Sequence, residues 1–214
     1  MKIGILGTGV VGNTIGSKLI EAGHEVKMGS RTVNNEKAAA WVNANGANAS
    51  HGTFADAAAF GEIIFNATKG EISIAALELS GEKNLNGKVL IDIANPLDFS
   101  MGFPPTLSVC NTNSLGEIIQ KTFPQLKVVK ALNTINCGLM LNPAALKGEH
   151  DLFICGNDAE AKNKVTALLQ SFGWKNIHDL GDITNARATE MLLPIWVRLY
   201  GKFQTANFNF HIVK

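Results

Sequence analysis

Three glycines constrain this chain more than any other feature of it. Gly7, Gly9 and Gly12 follow a short apolar run, Lys2 to Leu6, and precede a stretch in which Ile15, Leu19 and Ile20 share one helical face. Strand, glycine turn and helix in direct succession is the context in which GxGxxG binds a dinucleotide. Gly7 permits the tight turn, Gly9 lets main chain approach a pyrophosphate, and Gly12 lets helix and strand pack closely. Thr8, Val10 and Val11 complete the turn, where the helix N-terminus offers N–H groups and the positive end of its dipole.

Downstream the pattern keeps alternating. Strands are expected at Glu25 to Met28, "EIIFNAT" from Glu62, "KVLIDIAN" from Lys88, "KVVKALNT" from Lys127 and "DLFICG" from Asp151. Helices are expected over Asn35 to Ala44, over "LGEIIQKTF" and over "DAEAKNKVTALLQSFG", the last capped by Asp158 and ended by Gly173. This is the signature of an α/β fold of the Rossmann type, a doubly wound, mostly parallel sheet, here with a small C-terminal α/β lobe. Residues 1–135 form the expected nucleotide-binding domain, and residues 136–214 a smaller lobe that packs on the sheet and closes a cleft. After a late helix with Pro194 as a kink, Phe208, Phe210 and Ile212 alternate with Asn209 and His211. That alternation predicts a terminal strand, either tying down the C-terminus or pairing with a second subunit in a homodimer.

The end of the second strand bears on the choice of dinucleotide. NAD sites place an acid there for the ribose hydroxyls, but this chain has Gly29-Ser30-Arg31-Thr32. An acid would repel a 2′-phosphate, whereas a guanidinium grips it in a fork and a hydroxyl donates to it. NADP(H) is therefore the expected cofactor, with Thr8 and Lys37 as further contacts. A solvated Arg31 closing a loop is the alternative.

Charge excludes other classes of partner. Lys and Arg total 19 against 18 Asp and Glu, a net charge of +1, and no basic run interrupts the mixture, so neither nucleic acid nor a membrane surface is expected as partner. No segment approaches a membrane span and no signal-peptide pattern is visible, which makes the cytoplasm the expected location. Cys110, Cys137 and Cys155 are widely spaced and in no CxxC arrangement, so no metal site is expected.

Beyond the glycine turn and the Gly-Ser-Arg end, three segments in order resemble one family. They are "VVKALNTI" (Val128 to Ile135), "ICGNDAEAK" (Ile154 to Lys162) and "NARATEMLLPI" (Asn185 to Ile195). Together they make the chain similar to the NADP-dependent oxidoreductases of the coenzyme-F420 type, a module also found in the cytosolic domain of six-transmembrane metalloreductases. The resemblance implies hydride transfer between NADP(H) and a small-molecule redox acceptor, a flavin or the deazaflavin F420, stacked near the nicotinamide. It assigns Thr8, Ser30, Arg31 and Lys37 to the 2′-phosphate. Thr68, Lys69, Asn95 and Pro96 are placed by it at strand ends facing the ligand, along with Asn133, Thr134 and Ile135, which position acceptor or nicotinamide. F420-reducing members carry His-Thr-Ile where this chain reads Asn133-Thr134-Ile135.

Hydride transfer between aligned rings needs no nucleophile, and the sequence has no Ser-His-Asp set, HExxH or paired-carboxylate motif. Asn133 can hydrogen-bond a carboxamide or an acceptor ring, or simply tie its strand end to a neighbouring loop. Lys69 can meet a phosphate or ribose, or stand solvated. Cys137 and Met140 either line the acceptor site or pack, and Glu190 is expected as a surface partner of Arg187 or Arg198, or, as the resemblance alone implies, as a residue shaping the acceptor cleft. A module that binds NADP without turnover is the competing function.

Overall fold

Four of the five residues of β1 (Lys2–Leu6) are buried, and the strand passes through the glycine turn into α1 (Val10–Glu21). A computed structural model describes residues 1–214. The chain continues through β2 (Glu25–Ser30), α2 (Glu36–Asn45), β3 (Ala49–Thr53), α3 (Phe54–Phe60) and β4 (Ile63–Asn66). Next come α4 (Ser73–Ser80), α5 (Glu82–Leu85) and β5 (Val89–Asp92), followed by a small antiparallel hairpin of β6 (Leu97–Asp98) and β7 (Thr106–Leu107). α6 (Leu115–Thr122) and β8 (Lys127–Ala131) follow, then α7 (Cys137–Met140), β9 (Asp151–Gly156), α8 (Ala159–Ser171), β10 (Asn176–Asp179), α9 (Ala186–Met191) and α10 (Leu193–Phe203).

The main sheet has eight strands in the order β10-β9-β8-β5-β4-β1-β2-β3. All neighbours run parallel except β8 and β9. From β1 the chain winds outward to β3, then returns to the other side of β1 as β4, and this reversal opens a crevice at the strands' C-terminal ends. Successive residues of β4 feed opposite faces: Ile63 and Phe65 join a core of 28 residues, Ile64 one of 18. The expected Rossmann-type sheet is thus present. Residues beyond 135 add β9 and β10 to that same sheet and set α9 and α10 near its crevice. No helix is long and apolar enough to cross a membrane.

Caps fix several boundaries. Asp158 accepts from the Ala161 amide at 2.8 Å, as expected, and Thr53 and Asp56 form a reciprocal capping box at the start of α3. The late helix is two helices, α9 ending at Met191 and Pro194 lying in the first turn of α10, where its missing N–H costs nothing.

The C-terminal tail departs from expectation. Residues 207–214 form no strand, although Phe210 O accepts from the Asp151 amide at 2.9 Å. One residue pair later the ladder fails, because the Ile212 amide donates to the Asp151 carboxylate instead of to main chain. Asn209 Nδ2 donates to Asp151 O, and the His178 and His211 rings lie 3.2 and 3.3 Å from the two carboxylate oxygens. The tail is therefore an irregular strap centred on one carboxylate.

Glu190 is not the surface partner of an arginine. It is 1% exposed, and Lys130 Nζ lies 2.8 Å from Glu190 Oε1 and 2.8 Å from Asp92 Oδ2. The carboxylate of Glu190 also accepts from the amides of Leu115 and Gly116, the uncapped N–H groups that open α6. Arg187 pairs instead with Glu117. Burial alone would push the Lys130 ammonium down, but the Asp92 and Glu190 carboxylates outweigh it and hold the group above the ordinary lysine range. The triad joins β5, β8, α9 and α6 through groups that share no local sequence.

Lys130→Met should leave two buried carboxylates without their cation and cost about 3–5 kcal/mol, read as a lowered denaturant midpoint. A midpoint within error of wild type would refute the triad's role. At Asp151, burial pushes the carboxyl up but the Ile212 amide and the His178 and His211 charges pull it below its ordinary 3.8. A depressed folded-state pKa stabilises above the unfolded value and is lost as pH falls through the folded one. Exchange protection of the Ile212 amide should accordingly persist at neutral pH and disappear in acid below 3.8, and Asp151→Ala should remove it at every pH. Protection that survives in the variant would show that something else holds the strap.

Candidate active site

The crevice is organised by the glycine turn at its centre. Gly7 has φ +120°, and a Cβ there would meet Ala67 O at 2.6 Å. At Gly12 a Cβ would meet Gly7 O at 2.3 Å. Neither position accepts a side chain, so the turn and α1 sit tightly against β1 and β4. Gly9 is different: its φ is −79°, and a Cβ there would meet nothing within 4 Å. Its glycine is thus unexplained by the protein's own packing, and the space in front of it suits a pyrophosphate. No side chain caps α1 and its first turn holds no acid, so the first amides remain available to an anion. Thr8 is half-buried in the turn, and Val10 is 74% exposed at the helix start.

On the β2 side lie Ser30, Arg31, Thr32 and, across at the start of α2, Lys37. Arg31, Thr32 and Lys37 are exposed, and neither Arg31 nor Lys37 has a carboxylate within ion-pair distance. These are two free cations with no acid at the strand end, an arrangement suited to a phosphate. Ser30 is buried, and its hydroxyl donates to Thr32 O at 2.6 Å. It can donate to a phosphate only after releasing that bond.

On the β4 side a cleft of about 640 Å³ opens beside the turn. Val11, Thr68, Lys69, Asn95, Asn133, Thr134 and Ile135 all line it, so seven residues singled out in the sequence converge there. Cys137 and Met140 line it as well, whereas Pro96 does not; Pro96 O instead anchors the hairpin by accepting from the Ser108 amide at 2.8 Å. Lys69 sits on the rim, exposed and 3.8 Å from Glu71. Sequence reasoning missed the opposite wall, made by Phe99 of the hairpin and by Leu193 and Trp196 of α10. Trp196 is held by stacking on Phe208 and Tyr200, at centroid distances of 5.1 and 5.8 Å.

Two hydrogen-bond networks hold the floor. Asp92 Oδ1 accepts from Asn66 Nδ2 at 2.8 Å, Asn66 Oδ1 accepts from the Thr68 hydroxyl at 2.6 Å, and Ser73 Oγ lies 2.9 Å from Thr68 Oγ1. The Lys130 triad thereby extends to a residue on the cleft. Asn95 and Asn133 form the second network; Asn133 follows Leu132, whose φ of +63° turns the chain at the end of β8. Such a conformation costs about 1 kcal/mol or more in a non-glycine residue and is held only where surrounding contacts enforce it. The missed signal was visible: Asp92 and Lys130 are charges inside apolar strand runs, "VLID" and "VVKA", and a charge so placed needs a partner. Cys155 lies in the core, where burial pushes its thiol up to about 12, so it is no nucleophile.

Comparison with known proteins bears on this geometry. The family model described as NADP oxidoreductase coenzyme F420-dependent matches residues 2–96. The crystal structure of a protein from Arthrobacter sp. FB24, provisionally assigned as an F420-dependent NADP-reductase, superposes with a TM-score of 0.95 at 52% identity, covering 100% of both chains. The F420-dependent NADP reductase of Methanocaldococcus jannaschii is 28% identical over 151 residues, 70% of this chain and 67% of that protein. The metalloreductase STEAP3 of Rattus norvegicus is 30% identical over 200 residues, 91% of this chain, but the match spans only 38% of that longer protein. An end-to-end match in sequence and fold, together with the glycine turn in its expected setting, places this chain in the F420-dependent NADP oxidoreductase family, whose members are NADP-dependent oxidoreductases.

Proposed function

We propose that this protein transfers a hydride between NADP(H) and a flavin-like or deazaflavin (F420-like) acceptor, bound in the cleft beside the glycine turn. The observation that supports this most is the cleft itself. It has the volume of a small-molecule site, it lies at the strand ends next to the uncapped α1, and its walls are mainly apolar with a few fixed amides and a hydroxyl. NADPH, when bound, supplies a hydride, which carries both electrons.

The chain's own residues do the rest. The turn from Gly7 to Gly12 would hold the pyrophosphate, and Arg31 and Lys37 the 2′-phosphate, joined by Thr8 and Ser30. Thr68, Asn95, Asn133, Thr134 and Ile135 would place the nicotinamide and the acceptor ring. Phe99, Leu193 and Trp196 exclude water and offer apolar surface to a planar ring. A hydride passing directly between rings needs alignment more than proton transfer, which suits a cleft with no His lining it.

The deciding experiment is anaerobic NADPH oxidation by the purified protein, with F420, FMN and FAD offered in parallel. Turnover with one of them supports the reading and names the acceptor. Tight NADPH binding with no turnover would replace it with a non-catalytic NADP-binding role. Arg31→Glu should weaken NADPH binding by tenfold or more, about 1.4 kcal/mol, while barely affecting NADH. Equal losses for the two would refute the 2′-phosphate assignment. Gly9→Val should abolish nucleotide binding while the chain still folds, since a Cβ there meets no protein atom within 4 Å. Retained affinity in that variant would remove the turn from the site.

A further inference from the structure

Two asparagines at the cleft leave one hydrogen-bonding atom whose polarity is fixed. Asn133 O, a main-chain oxygen, can only accept, and Asn95 Nδ2 donates to it at 2.8 Å. Asn95 must then turn its Oδ1 toward Asn133, whose Nδ2 donates to it at 2.9 Å. The two ends of an amide are distinguished by their partners, and here one main-chain oxygen determines both side chains. Reversing Asn95 would set its oxygen against Asn133 O, and reversing Asn133 alone would set two side-chain oxygens together. What remains is Asn133 Oδ1. It is an acceptor with no protein donor, on a residue that is 4% exposed overall and lines the cleft. That oxygen stays accessible from the cleft, free to accept a hydrogen bond from a ligand that supplies a donor.

We propose that Asn133 is a specificity-determining residue for the nicotinamide ring, its Oδ1 accepting an N–H from the carboxamide, and that Asn95 is the positioning residue that fixes this polarity. The inference rests on the NADP reading above. With the 2′-phosphate on the β2 side and the pyrophosphate at β1, the nicotinamide half must extend the other way, over β4 toward β5 and β8. Asn95 and Asn133 follow those two strands, roughly 10–14 Å from β1 at about 4.8 Å per strand. The carboxamide has one donor end and one acceptor end. Asn133 Oδ1, which can only accept, therefore takes its NH2 and sets which way round the ring lies, and with it which face meets the acceptor.

The test measures binding and needs no known acceptor. Calorimetric titrations compare NADP+ with its 3-acetylpyridine analogue, which keeps the carbonyl and replaces NH2 by methyl, and with 2′,5′-ADP, which lacks the nicotinamide half. Wild type should prefer NADP+ over the analogue by about tenfold, the worth of one hydrogen bond. In Asn133→Leu the preference should vanish, and in Asn95→Leu it should shrink, while 2′,5′-ADP binds all three proteins alike. A wild type indifferent to the methyl group, or a preference surviving in Asn133→Leu, overturns the proposal. If Asn133→Leu does not fold, the wild-type ratio and Asn95→Leu still decide it. A proportional loss for both ligands in Asn95→Leu, with their ratio unchanged, would reduce Asn95 to a structural residue and overturn its positioning role. Absence of 2′,5′-ADP binding to wild type would instead refute the NADP reading beneath it.

Discussion

The buried Lys130 ammonium is the point on which the two halves of this structure meet. It lies between a carboxylate on β5 and one on α9, and the second carboxylate also closes the N-terminus of α6. Removing three charges from water is expensive, so such a cluster is poor evidence for net stability. What it does supply is exclusivity: a single ammonium satisfies Asp92 and Glu190 together only if α9 sits over the ends of β5 and β8. Leu193 and Trp196 lie on α10, which follows α9 directly, and with Phe99 they form the far wall of the cleft. The position of that wall is thus set by electrostatics in the core, although the wall itself is apolar.

Direction in hydrogen bonding carries the same constraint to the ligand side. Asp92 accepts, so Asn66 must offer its amide nitrogen, so its oxygen faces Thr68, and the Thr68 proton is committed inward. A hydroxyl whose proton is committed retains acceptor capacity only. Asn133 arrives at the same polarity by a separate route, through a main-chain oxygen and Asn95. Two independent networks therefore present acceptors to the cleft, and neither depends on a rotamer chosen at the surface. A ligand with N–H or O–H groups on that side meets a wall already oriented, which lowers the ordering cost of binding.

How much of this was legible in the sequence depended on whether the cause was local. The glycine turn, β1, the cap of α8 and the apolar central strands are all written within a few residues, and they were read correctly. β3 and β10 were not recognised, because as edge strands, "ASHGT" and "NIHD", they bury little and carry polar residues. The capping box Thr53–Asp56 announced α3 and was overlooked. The tail was misread because alternating Phe208, Phe210 and Ile212 suits a strap as well as a strand, and the decider, Asp151, lies far away in sequence. The surface pairing of Glu190 failed for the same reason: its helical neighbours suggested it, while its actual partner is on β8. Within the site, the residues at strand ends could be nominated in advance, since the fold brings those ends together. The far wall could not, because its position follows from the triad.

The two ends of the crevice divide the work of recognition in different physical terms. Near β2 the groups are exposed: Arg31 and Lys37 stand without carboxylate partners, and attraction there acts through solvent and is screened by salt. Ser30 is the exception, its proton held by Thr32 O, so that grasping a phosphate means exchanging one hydrogen bond for another and shifting the Ser30–Thr32 turn. Near β5 and β8 nothing needs to move, since Asn95, Asn133 and Thr68 are already held by buried partners. A dinucleotide would therefore be drawn in by an adaptable, charged end and aligned by a rigid, neutral one. That order suits hydride transfer, where affinity can come from anywhere along the molecule but geometry must be set at the ring.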